Sequence, residues 1–162
     1  MFTVVGAGIA GLSCALQLAR AGKKVIVLES RIRGSGQTGR TTAHIMTWVD
    51  DYYKNMISMH GLETASVVAD SLRTAADWIE ATVREENIDC QFTRLDGILY
   101  PHEAKAEKTL EEELQAAHKV GLTDTKLVDL GGGADVGGIS QALVFPRYVL
   151  LKHVNTQYKV LF

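Results

Sequence analysis

The residues best suited to chemistry lie within the first thirty positions. Gly6, Gly8 and Gly11 form a Gly-x-Gly-x-x-Gly triplet between a short β-branched run, Phe2 to Val5, and an apolar pattern at helical spacing. Gly6 permits a sharp turn out of a strand, Gly8 leaves no side chain in the path of a pyrophosphate, and Gly11 lets a helix lie close on a sheet. Together with Ile9 and Ala10 they would present the free N–H groups and partial positive charge of a helix N-terminus to phosphate oxygens. Glu29 follows 18 residues after Gly11, at the end of Lys24-Val25-Ile26-Val27-Leu28, where a carboxylate can accept both hydroxyls of an adenosine ribose. Its charge would repel a 2′-phosphate, which disfavours NADP. A glycine-rich turn without a ligand is the plain alternative, but strand, helix, second strand and terminal acid all agree with the fingerprint.

The elements that must position these residues follow from periodicity. Phe2–Val5 reads as a buried strand, residues 10–21 as a helix stopped by Gly22, and residues 24–28 as a strand covered on both faces: one βαβ unit with a parallel sheet. Residues 30–40, with Gly34, Gly36 and Gly39, read as a loop. From Gly61 to about Glu86 the three-four spacing of Ala65, Val68, Ala69, Leu72, Ala76, Ile79 and Val83 predicts a long amphipathic helix. Residues 91–94 and 97–100 are expected to pair as a hairpin turned at Asp96-Gly97 and closed by Pro101. Residues 103–118 predict a surface helix whose Glu111-Glu112-Glu113 run forms a solvated face, and residues 126–130 and 139–145 predict further strands between glycine-rich stretches.

The glycine triplet alone leaves FAD and NAD equally open. The next stretch does not: Glu29-Ser30-Arg31 followed by Gly34-Ser35-Gly36-Gln37-Thr38-Gly39-Arg40-Thr41-Thr42-Ala43-His44 resembles the second flavin-contacting segment of FAD-dependent oxidoreductases of the D-amino-acid oxidase family, which includes glycine and sarcosine oxidases. The resemblance continues through Glu85 to Cys90, Arg94 to Leu99 and Ala142 to Pro146, where it is similar to the branch whose members often carry a C-terminal Rieske domain. It implies an α/β fold with a Rossmann-like FAD-binding unit at 1–45, helices and part of an α+β substrate domain at 46–146, and a divergent tail at 147–162. It further implies that Ser30 and Arg31 lie along the adenosine, while Gly39, Arg40, Thr41, Thr42, Ala43 and His44 run past the pyrophosphate toward the flavin. The activity implied is oxidation of an amine or amino acid by hydride transfer to flavin. Such members are more than twice as long, so the chain is expected to be C-terminally truncated, with apolar faces left open to self-association. Two other readings remain, a non-catalytic dinucleotide-binding or interaction module and an NAD-dependent dehydrogenase.

The 162 residues, 46% hydrophobic and 22% charged, suffice for a packed core and exclude a disordered or fibrous chain. A net charge of −2 provides no basic field for nucleic acid or an anionic membrane, and no apolar run reaches the roughly 18 to 20 residues of a membrane span. Cys14 and Cys90 have no metal-ligand spacing and no Rieske Cys-x-His partner, so both are expected to be structural, Cys14 packing on the sheet, in a reducing, cytoplasmic setting. His60, His102, His118 and His153 are scattered without metal-site patterning, and none is expected to bind a metal. Trp48, Trp78, Tyr52 and Tyr53 read as core or interface, with a pocket wall as the alternative.

Overall fold

The computed structural model describes residues 1–100, 107–131 and 140–151. Pro101, His102, His153, the glycines at 132–133 and 137–138, and the tail from 152 lie outside the described residues. The chain divides into two compact units. One comprises Met1–His44, Glu80–Phe92 and, among the described residues, Leu151; the other comprises Ile45–Ile79 and the described part of Thr93–Leu150.

In the first unit, β1 (Phe2–Val5), α1 (Ile9–Arg20) and β2 (Val25–Leu28) form the expected βαβ crossover. The strands are parallel, in register from Phe2↔Val25 to Val5↔Leu28. The helix ends where Gly22, at φ 72°, donates its N–H to the Ala19 carbonyl. Contrary to expectation the described residues do not cover the strands on both faces. Among the described residues they pair only with each other, and α1 covers one face, its Leu12 packing with Ala7 of the preceding turn and Val27. Val5 stays 83% exposed and Leu28 53%. Cys14 is also exposed rather than packed on the sheet. It sits about 200° around the helix from Leu12, so it faces away from the strands. Arg20 closes the unit with ion pairs to Glu85 at 2.9 Å and Glu86 at 2.6 Å.

In the second unit the long helix α2 (Tyr53–Glu85, its turns from Glu80 grouped with the first unit) begins eight residues before the expected start. Gly61 breaks it at φ 82°, ψ 161°, a conformation only glycine adopts without strain. The sheet is built on β6 (Gln141–Leu150), which takes β4 (Thr93–Leu99) along one edge and β5 (Lys126–Asp129) along the other, both antiparallel. The two-residue β3 (His44–Ile45) completes the order β3-β6-β4. The predicted hairpin at Asp96-Gly97 is instead a bulge within the single strand β4, because the register jumps from Leu95↔Tyr148 to Gly97↔Phe145. Pro146 opposite cannot donate to the ladder, and Arg147 takes φ 73°. Local disruption rather than chain reversal results.

The helix α3 (Glu107–Lys119) does not present its acidic run wholly to solvent. Glu111 and Glu112 are exposed, but Glu113 is fully buried beside Leu110 and Ala117. Its carboxylate accepts the N–H of Tyr53 at 2.8 Å and of Lys54 at 3.0 Å, so one helix caps the start of another. The Tyr53 hydroxyl in turn donates to the Thr47 carbonyl. Around this cap lies the core of Tyr53, Leu110, Leu143 and Phe145, with Trp48 and Leu99 packed against it.

Removing the cap by Glu113→Ala should cost about 2 to 4 kcal/mol in chemical denaturation, from two orphaned backbone donors plus a cavity. Burial raises the Glu113 pKa above its usual value of 4.5, despite the opposing N–H groups. The folded state therefore holds this proton more tightly than the unfolded chain. The carboxyl's contribution to stability should decline as pH rises from 4.5 through its folded pKa and then level off. Glu113→Gln should flatten that segment of the stability profile.

Candidate functional site

The sequence-predicted residues of the first unit gather at the carboxyl ends of β1 and β2. Gly6 turns the chain at φ 101°, a region closed to other residues without strain. Gly11 meets the close approach that the fingerprint anticipates: a Cβ there would stand 2.0 Å from the Gly6 carbonyl oxygen and 3.4 Å from the Val4 side chain. Gly8 is the N-cap of α1 and provides no side-chain cap, and the first turn holds no acidic residue. Ile9 and Ala10 are exposed beside it. A helix N-terminus left this way retains its positive end for an anion.

Glu29 reaches this turn from the tip of β2. One carboxylate oxygen accepts the Ala7 N–H at 2.7 Å; the other accepts the Arg31 N–H at 2.9 Å and lies 3.4 Å from the Ser30 hydroxyl. These bonds, that from Ala7 foremost, lower the Glu29 pKa below 4.5 and keep it ionised near neutrality. A carboxylate with about four lone-pair positions keeps capacity for further donors. Ser30 and Arg31 are exposed.

The glycine-rich segment folds back over the same turn. Gly34 is buried and donates its N–H to the Ala7 carbonyl at 2.9 Å. The one-turn 3₁₀ helix Gln37–Arg40, expected as plain loop, carries Thr38, whose hydroxyl accepts the Ile9 N–H at 3.1 Å. A Cβ on Gly8 would lie 3.2 Å from that hydroxyl. Thr38, Ala7 and Gly34 are contacts that the motif reading did not single out. Thr38 is 29 residues from Ile9, so no local spacing could have linked them. Gly39, Arg40, Thr41, Thr42 and His44 are exposed. Ala43 is buried in the left-handed region at φ 60°, with its N–H donated to the Thr41 hydroxyl and its carbonyl accepting the Leu151 N–H at 3.3 Å. A non-glycine residue held there marks backbone set by its surroundings.

Among the described residues there is no cluster suited to a metal ion, and no helix is long and apolar enough to cross a membrane.

Gly11→Ala forces a methyl into the Gly6 carbonyl, and backbone on both sides leaves little room to yield. A loss of about 3 kcal/mol, or failure of the first unit to fold, is expected by denaturation. Glu29 carries the opposite pH sign from Glu113. Its contribution is complete above 4.5 and disappears as pH falls through its lowered folded pKa, a limb that Glu29→Gln should remove.

The protein YhfW of Bacillus subtilis, named as a Rieske 2Fe-2S iron–sulfur protein, is 30% identical over 128 residues, covering 79% of this chain and 25% of its own. Gamma-glutamylputrescine oxidoreductase of Escherichia coli is 30% identical over 126 residues, 78% of this chain and 29% of that one. The chain thus spans between a quarter and a third of the curated relatives it matches. Among solved structures, L-proline dehydrogenase from P. horikoshii superposes with a TM-score of 0.76 at 19% identity, over 99% of this chain and 40% of that one, a likeness of fold. Residues 1–153 match the family described as DAO, FAD dependent oxidoreductase, and to that family this chain belongs.

Proposed function

We propose that the first unit holds the ADP half of FAD, and that the protein takes part in oxidation of a small amine or amino acid. The observation that carries this reading is the Glu29 carboxylate, ionised and fixed 2.7 Å from the Ala7 N–H inside the Gly6–Gly11 turn. The turn and the open N-terminus of α1 would receive the pyrophosphate, and Glu29 the ribose hydroxyls. The Thr38 hydroxyl, which accepts the Ile9 N–H, stands at the helix end that a phosphate oxygen would share. Ser30 and Arg31 would flank the adenosine, and Gly39, Arg40, Thr41, Thr42, Ala43 and His44 would lead toward the flavin. When bound, FAD supplies the hydride acceptor for a carbon beside an amine.

On this reading residues 1–45 contribute to flavin binding, 46–146 form a helical region and part of a substrate domain, and 147–162 form a tail whose first residues, 147–150, continue β6. That the relatives include a gamma-glutamylputrescine oxidoreductase and, by fold, an L-proline dehydrogenase supports the substrate class. The free thiols of Cys14 and Cys90 suit a reducing, cytoplasmic setting. The exposed Val5, Ile26 and Leu28 suit self-association through the uncovered face of β1 and β2.

Calorimetric titration with ADP and with FAD tests the reading. Gly8→Val should abolish binding of both, and Glu29→Ala should weaken ADP by about 1.5 to 3 kcal/mol. Equal affinity of both variants and the parent removes the reading. An absorbance spectrum without a flavin band, from a chain that binds NAD, would favour the dehydrogenase alternative.

A further inference from the structure

The second unit contains a cavity of about 380 Å³, within the usual range for a small organic ligand. Its walls are aromatic and aliphatic: Trp48, Phe145 and Tyr148 on one part, Ile98 and Leu99 of β4 on another. Among the described residues Asp96 is the only formally charged one that lines it.

Three features make this a shaped site. The indole of Trp48 is held edge-on against Tyr52, with ring centroids 5.5 Å apart, and tilted over Phe145 at 6.4 Å. The backbone before it is tied at Thr47 by the buried Tyr53 hydroxyl. Asp96 sits at the β4 bulge, outside the ladder pairing on either side, and bulges redirect a side chain from the regular alternation. Gly97 lets Tyr148 close in, since a Cβ there would lie 3.1 Å from the Tyr148 ring.

The Asp96 carboxylate is exposed rather than buried. The nearest basic residues on these strands are engaged elsewhere: Arg94 pairs with Asp77 at 2.7 Å, and Arg147 lies 3.7 Å from both Asp77 and Asp124. Asp96 makes no ion pair among the described residues. Three aromatic rings and one carboxylate attract the same chemistry, an organic ammonium with an apolar tail, through cation–π and ionic contacts. A ligand carboxylate would meet the Asp96 charge with no cation among the described lining residues to offset it.

We infer that this cavity binds a small primary or secondary alkyl or aryl amine lacking a carboxylate next to the nitrogen, with the tail against Trp48 and Phe145 and the ammonium toward Asp96. As the seat of a substrate this rests on the flavoprotein reading; as a ligand site it stands on the cavity alone.

Trp48 is its own reporter, because Trp78 does not line the cavity and can be replaced by Phe. In the Trp78→Phe chain, n-hexylamine should shift Trp48 emission saturably, norleucine should bind at least about tenfold more weakly, and 1-hexanol should also be weaker. Adding Asp96→Asn should weaken hexylamine about tenfold and leave hexanol unchanged, with circular dichroism verifying the fold. No saturable shift, norleucine equal to hexylamine, or Asp96→Asn equal to its parent would each overturn the inference. Gly8→Val separates the two proposals: hexylamine binding that survives there, with ADP binding lost, supports the cavity as an independent site. Hexylamine binding lost there, in a variant that keeps its fold, overturns that independence.

Discussion

The first unit depends on the absence of one carbon atom. Gly11 lets the start of α1 come within contact of the Gly6 carbonyl, where any Cβ would stand 2.0 Å away. That approach puts the N-terminus of α1 directly above the end of β1, and every other contact of the turn presupposes it. Glu29 can reach Ala7, Gly34 can reach the Ala7 carbonyl and Thr38 can reach Ile9 only because the turn is this tight. The positive φ at Gly6 and the crowding at Gly11 are thus one constraint, met by two residues without side chains.

The second unit is organised by a buried charge instead. Glu113 satisfies two of the first free N–H groups of α2, which fixes Tyr53, whose hydroxyl fixes Thr47, next to Trp48. Burial of a carboxylate is costly and is tolerated where backbone donors surround it. Among the described residues the Trp48 indole N–H makes no hydrogen bond of standard geometry, yet it lies close enough to Glu113 to favour the charged form. Removal of Glu113 would therefore disturb a cavity wall that it does not itself line.

Much of the local structure was legible because hydrophobic period and turn chemistry agree. The spans of β1, α1 and β2 fall within a residue or so of expectation, and the glycine turn and Glu29 meet as their spacing predicts. The failures have separate physical causes. Asp-Gly serves a tight turn and a bulge alike, and which forms depends on a partner strand with Pro146 opposite. Glu113 sits three residues after Leu110 and four before Ala117, a spacing that places it on the apolar stripe; the surrounding glutamates hid that signal. Strands read as doubly covered are exposed because covering depends on neighbours, which a strand's own residues do not specify.

The sequence by itself determined the βαβ crossover, the places where glycine is required and the acid that ends β2, since each rests on interactions within about thirty residues. Only the tertiary structure decided that Thr38 meets the start of α1, that Glu113 caps α2 and that Asp96 lines an aromatic cavity. Those contacts join residues that are 29, about 60 and about 50 positions apart. Over such distances no helical or strand period relates one side chain to another, and the packing of whole elements selects which polar groups meet.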